Sequence, residues 1–323
     1  MTMTGNAGRF AAIAVLVAMM QCGAARAGSY TFVTLDHPNA DHGTFAAGIN
    51  DAGAVVGHFV VGFTNEGFRY QNGQYTTIQV NGLNATLTSI NNADTVAGFY
   101  SDSAGLHGFT LTSGAVLTTI DDPNAVNGTE VTGINNKGDV VGFYYDSAFT
   151  AHGFSLINGA FKTIDYSGAG TGPGAGTFAQ GINQSDVIVG GVIGGTSGGI
   201  GFTYNGTNFT KVTVPGATST FGGGINDAGA LVGYFNDSSG QHGFVDMGGQ
   251  FTTLDAPGTN LSTRAFGINA SGTVVGYFLD ANFHAHGFVA TAAVPEPGTL
   301  TLATIAAMSL LAARLSLAAR GRE

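Results

Sequence analysis

One twelve-residue phrase recurs six times in this chain, and that periodicity limits the fold more than any other property. Its clearest copy is Gly267-Ile268-Asn269-Ala270-Ser271-Gly272-Thr273-Val274-Val275-Gly276-Tyr277-Phe278, followed by His286-Gly287-Phe288. Copies begin at Gly48, Ser89, Gly133, Gly181, Gly224 and Gly267, in steps of 41, 44, 48, 43 and 43 residues. Self-similarity at such a period marks an array of one supersecondary unit that shares its core with its neighbours.

Each unit parses into four short runs separated by turn residues. In the fifth they are Thr220–Asn226, Ala230–Phe235, His242–Asp246 and Gln250–Asp255, here called a, b, c and d. Their length and their Val, Ile, Thr, Phe and Tyr content predict strands. The a–b link is Asn-x-x-Gly, in which Asn starts a turn on its own backbone and Gly supplies the positive φ. Asp94 and Asp186 stand where two units lack that Gly, and Asp also tolerates the region. The Asn is present six times, as Asn50, Asn91, Asn135, Asn183, Asn226 and Asn269. A ring of Asn resembles a ligand site, but turn formation accounts for all of them. Run b keeps a Gly at Gly57, Gly98, Gly142, Gly190, Gly233 and Gly276, and run c keeps a Phe at Phe68, Phe109, Phe154, Phe202, Phe244 and Phe288. A strand-interior Gly is tolerated where something must approach closely, so each Phe is expected to fill a glycine-made gap. That makes the ring of Phe core, at ~1.5–3 kcal/mol each.

His precedes Gly-Phe in four units, as His107, His152, His242 and His286; Glu66 and Ile200 replace it in the other two. The same four units carry Asp102, Asp146, Asp237 and Asp280 in the b–c hairpin. The simplest reading is an Asp–His pair across the hairpin. Equivalent positions in separate units diverge in space, so no metal centre is expected from them, and His284-x-His286 lacks a third ligand at the right spacing. Asp36, Asp121, Asp165 and Asp255 close the d runs and read as ordinary turn formers. Asp121-Asp122 lacks the spaced acidic loop of a calcium site.

The ends read as addresses. Arg9, the apolar run Phe10–Met20 and Ala25-Arg26-Ala27 predict a signal peptide over 1–27, cut between Ala27 and Gly28. A lipoprotein reading of Cys22 is disfavoured by Gln21 before it. Val294-Pro295-Glu296-Pro297-Gly298-Thr299 precedes an apolar run and Arg314, Arg320 and Arg322. This tail, 294–323, resembles the PEP-CTERM sorting signal, with Pro295, Glu296 and Pro297 as its motif. The resemblance implies recognition by the membrane protease-transpeptidase exosortase in a Gram-negative bacterium that makes exopolysaccharide. Signal peptidase and exosortase are then transient partners, and the C-terminal helix tethers the chain to the membrane until it is processed. Between the ends, 28–293, Arg69, Lys137, Lys162, Lys211 and Arg264 are the only bases against most of the 20 acids. Such a surface repels nucleic acid.

The Gly-Ile-Asn-x-x-Gly-x-Val-Val-Gly unit with His-Gly-Phe resembles the HAF-type extracellular repeat family over nearly all of 30–290. This implies a secreted bacterial protein with no established activity. Six four-strand units predict an all-β, six-bladed β-propeller, with a β-solenoid as the alternative. The sixth unit has no run d, while Tyr30–Asp36 is a run d without a, b or c. Adding it to the last unit would close the ring and hide an edge. No serine-hydrolase, zincin, phosphate-loop or zinc motif is present, and no cofactor is implied. Glu66, Glu130 and Asp139 are the leftover acids, none with a catalytic signature. The function expected is a non-enzymatic surface or matrix component that binds polysaccharide or a surface protein. The alternative is a polysaccharide hydrolase or lyase.

Overall fold

The computed structural model describes residues 30–258 and 262–293. The signal-peptide residues Ala25, Ala27 and Gly28, the sorting residues Pro295, Glu296 and Pro297, and the C-terminal helix lie outside the described residues. Within them all regular structure is β, in 24 strands. Strand β1 (Tyr30–Leu35) comes first. The first set is β2 (Gly43–Ile49), β3 (Val55–Val61), β4 (Thr64–Gln71) and β5 (Gln74–Val80). The second is β6 (Leu83–Ile90), β7 (Val96–Ser101), β8 (Leu106–Leu111) and β9 (Leu117–Ile120). The third is β10 (Thr129–Ile134), β11 (Val140–Tyr145), β12 (Ala151–Ile157) and β13 (Ala160–Ile164). The fourth is β14 (Gly176–Ile182), β15 (Ile188–Ile193), β16 (Ile200–Tyr204) and β17 (Phe209–Val212). The fifth is β18 (Ser219–Ile225), β19 (Leu231–Asn236), β20 (Gln241–Met247) and β21 (Gln250–Leu254). The last is β22 (Ser262–Ile268), β23 (Val274–Leu279) and β24 (Ala285–Ala292).

Neighbours within a set run antiparallel. The last set lacks a fourth strand of its own and takes β1, which pairs β24 from Tyr30↔Ala292 to Leu35↔Gly287. The edge of β24 is thereby covered. Single parallel bridges join β12 to β14, β20 to β22 and β24 to β2.

The glycine and phenylalanine of each unit are direct cross-strand partners: Gly57↔Phe68, Gly98↔Phe109, Gly142↔Phe154, Gly190↔Phe202, Gly233↔Phe244 and Gly276↔Phe288. All six Phe are fully buried. A Cβ on Gly276 would meet both the Phe288 ring and the Arg264 carbonyl. That carbonyl sits just before a feature the repeat does not announce. Every first strand carries a β-bulge, between Ala46/Gly48, Leu87/Ser89, Val131/Gly133, Ala179/Gly181, Gly222/Gly224 and Ala265/Gly267. A bulge re-aims side chains next to it. Here it presents Ala47, Thr88, Thr132, Gln180, Gly223 and Phe266 to a central cavity.

Candidate functional site

That cavity, of about 350 Å³, is lined by the first strands of all six sets. It has three layers, because each first strand contributes at three successive points.

The first layer is the a–b turns. Each Asn Oδ1 accepts the N–H four residues on, as Ala54 gives to Asn50 at 2.9 Å. Turn formation thus uses only half of the side chain. Each Nδ2 donates to the main-chain carbonyl of the next Asn: Asn50 to Asn91 at 3.3 Å, Asn91 to Asn135 at 3.1 Å, Asn135 to Asn183 at 3.2 Å. Asn183 gives to Asn226 at 3.3 Å, Asn226 to Asn269 at 3.0 Å, and Asn269 back to Asn50 at 3.2 Å. All six are buried, and together they form an unbroken hydrogen-bonded circuit. Asp51 and Asp227, at this end, are occupied by turn N–H groups: Ala270 gives to Asp51 at 2.8 Å and Gln184 to Asp227 at 2.8 Å.

The bulge residues form the second layer. Thr88 and Thr132 hydroxyls bridge adjacent sets, giving 2.9 Å to the Val131 carbonyl and 2.8 Å to that of Ala179.

The third layer, like the bulge residues, differs between the six copies. Its matched pairs are Phe45↔His58, Thr86↔Phe99, Glu130↔Phe143, Phe178↔Gly191, Phe221↔Tyr234 and Arg264↔Tyr277. Phe45, His58, Thr86, Phe99, Glu130, Phe143 and Tyr277 face the cavity. Phe45 stacks on His58 at 4.8 Å between ring centres and meets Tyr277 edge-on at 4.8 Å. Arg264 stands aside, its guanidinium over the Tyr234 ring at 4.7 Å. Burial pushes the Glu130 carboxyl up to about 7, and its one hydrogen bond, from the Tyr145 hydroxyl, is long at 3.4 Å. Burial pulls the His58 imidazole down to about 4, and its Nδ1 is sealed without a partner. Glu130 stands in the sequence only as a leftover acid and His58 carries no signal, since each is a one-off within its repeat.

The Asp–His sets lie elsewhere, at the starts of the third strands. His Nε2 to hairpin Asp distances are 3.3 Å for His107–Asp102, 3.5 Å for His152–Asp146, 3.4 Å for His242–Asp237 and 3.7 Å for His286–Asp280. Those are long for hydrogen bonds. The shorter partners are the aspartates read above as turn formers. Nδ1 lies 3.0 Å from Asp121 in His107, 2.9 Å from Asp165 in His152, 2.8 Å from Asp255 in His242 and 2.8 Å from Asp36 in His286. Each His therefore sits between two carboxylates. The signal was present in the repeat: the units without His have Gln79 and Thr213 in place of that Asp. Partial burial pulls the His152 imidazole down, but Asp165 and Asp146 outweigh it and hold it above its ordinary value. Asp146 is held below the usual carboxylate range by the Thr150 N–H first, then that of Ala148. Among the described residues no three His, Cys, Asp or Glu are arranged to hold a metal ion.

The hairpins carrying Asp146 and Asp280 repeat the a–b turn, with Asp in the Asn role. Thr150 N–H gives to Asp146 Oδ1 at 2.8 Å and His284 N–H to Asp280 Oδ1 at 2.9 Å. Where the a–b turns place Gly or Asp at positive φ, these place Phe149 (φ 59) and Phe283 (φ 63). Both rings are exposed, by 51% and 70%.

No family model matches the chain, and no curated protein matches it. Solved structures do. The fold is similar to a streptogramin B lyase (TM-score 0.48, 12% identity, 82% of this chain and 98% of that one). It is similar to the β-propeller domain of the Trilobed protease from Pyrococcus furiosus (TM-score 0.44, 8% identity, 78% and 94%). It is also similar to the SapL1 lectin in complex with alpha methyl fucoside (TM-score 0.44, 10% identity, 80% and 99%). Likeness at this level carries no activity across.

Proposed function

We propose that the chain is an exported, closed six-bladed β-propeller serving as a non-enzymatic binding component of the cell surface or exopolysaccharide matrix. The β1–β24 ladder and the Asn269-to-Asn50 hydrogen bond support closure, since each joins residues at opposite ends of the repeat. The tags over 1–27 and 294–323 support export by signal peptidase and sorting by exosortase. The observation that carries the binding reading is the central cavity: aromatic walls, a few polar groups, and no Lys or Arg among its lining residues. Apolar concave sites with a few placed polar groups are the usual form of a ligand site. A hydrolase would need carboxylates facing each other across the cleft. Of the lining acids, Asp51 and Asp227 are tied to turn N–H groups, which leaves Glu130 alone at the aromatic end.

The test is a glycan array with the exported chain beside a cleavage assay on the host's own exopolysaccharide. Binding without shortening of the polymer is the expected result; shorter chains in the product would overturn it. Replacing Pro295, Glu296 and Pro297 by Ala should leave the protein unsorted in membrane fractions.

A further inference from the structure

The six copies agree wherever a residue builds the scaffold and diverge at the aromatic end of the cavity. Three features of that end select a ligand. The first is charge. The lining holds no Lys or Arg, its two turn-end aspartates are occupied, and Glu130 is the one carboxyl left facing the space. An anionic ligand would leave water for a site with no cationic partner.

The second is unspent hydrogen bonding. Glu130 Oε1 takes the single long bond from Tyr145, and Oε2 takes none. His58 makes no side-chain hydrogen bond among the described residues, although its Nδ1 is sealed from solvent, which leaves Nε2 as the nitrogen a ligand can reach. Unsatisfied polar groups in a walled site are costly. They gain most from a ligand that brings hydroxyl groups. The third is size and shape. A volume of about 350 Å³ is at the small end of the ~300–1,000 Å³ range of small-molecule sites. The space suits one or two sugar rings.

We propose that the aromatic end of this cavity is a site for one uncharged, hydroxyl-bearing ring, the terminal hexose of a glycan. The ring is held between Phe45, Phe99 and Tyr277, with hydrogen bonds to Glu130 and His58. This rests on the glycan-binding reading above and specifies where and what that reading binds. Glu130, in its protonated form, both donates and accepts, and the neutral imidazole supplies the other polar contact.

The experiment is calorimetric titration of the exported chain with methyl hexosides of glucose, galactose and mannose, and with glucuronate as the anionic counterpart. The expected result is saturable binding of at least one neutral hexoside and none of glucuronate. Ala47→Phe fills the middle of the cavity with the residue that the sixth unit already carries there, Phe266. It should weaken binding by about tenfold or more, as should Glu130→Ala, with the melting transition retained. If Ala47→Phe does not fold, Glu130→Ala decides. No hexoside binding, equal binding of glucuronate, or wild-type affinity in the folded variants would overturn the site. Retention of the host exopolysaccharide on immobilised protein separates the two readings. Polymer retained equally by wild type and Ala47→Phe means a glycan-binding surface without an axial site. Polymer retained by neither removes the broader reading as well.

Discussion

The two ends of the central cavity are built by the same six strands yet behave as opposites. At the turn end every unit supplies the same Asn, and every Asn does the same two things. At the aromatic end, five residues before each Asn, no two units carry the same cross-strand pair: Phe45–His58, Thr86–Phe99, Glu130–Phe143, Phe178–Gly191, Phe221–Tyr234 and Arg264–Tyr277. A scaffold of repeated units needs identical joints, so the Asn of the turn end does not vary. Nothing in the joint constrains the other end, and that is where individual chemistry collects. The lesson is that in an array, sameness reports on assembly and difference reports on the site.

The comparison can be broken first at Glu130. Its folded value, about 7, lies above its ordinary one of 4.5, so the folded protein binds the extra proton. Stability is full below pH 4.5 and is lost as pH rises to 7, by on the order of 3 kcal/mol. His58 acts oppositely: its value falls from 6.5 to about 4, so stability is full above pH 6.5 and is lost as pH falls towards 4. The two slopes oppose each other between these limits. Glu130→Gln should therefore leave a protein that loses stability on acidification. His58→Phe, the residue found at Phe99 and Phe143, should leave one that loses it on alkalinisation. Urea melts from pH 4 to 8 read both; parallel profiles for the two variants would show that this end is not a pair of buried neutral groups.

At the turn end, Asn269→Ala removes the last link of the circuit and strands the Thr273 N–H and the Asn50 carbonyl. A loss of about 1–3 kcal/mol is expected. Asn269→Asp keeps the acceptor for Thr273 and loses only the donor, so it should cost less; equal losses would mean that the turn bond to Thr273 contributes nothing, and a negligible loss in Asn269→Asp would mean that the inter-unit bond contributes nothing. A smaller effect, of opposite sign, is expected at the hairpins. Phe149→Gly relieves a left-handed backbone and should stabilise by about 1–2 kcal/mol, whereas Gly229→Phe in the matching a–b turn should destabilise. Smallest of all, Asp165→Asn should lower the His152 titration point seen by NMR. The raised value of His152 means that its contribution is present below pH 6.5 and fades as pH climbs past its folded value. Asp165→Asn should flatten that dependence.

The repeat period, four strands per unit, a Phe filling a glycine-made gap in every unit and the chain's leading strand were all legible in the sequence; that the gap lies directly across the same sheet was not. The legible features depend on short-range patterns that recur, and recurrence is visible in one dimension. Tyr30–Asp36 could be matched to a missing run because its end copies Phe251–Asp255 almost letter for letter. The tertiary structure alone decided what each repeated residue touches. Asn Nδ2 reaches a carbonyl 41 to 48 residues away, or 219 in the last case, and no local rule prefers that partner to water. The aspartates at the ends of the fourth strands became histidine partners because antiparallel pairing sets the start of one strand beside the end of the next. His58 and Glu130 had no signature at all. A neutral histidine and a protonated glutamate arise from the walls around them, and those walls exist only when six strands converge.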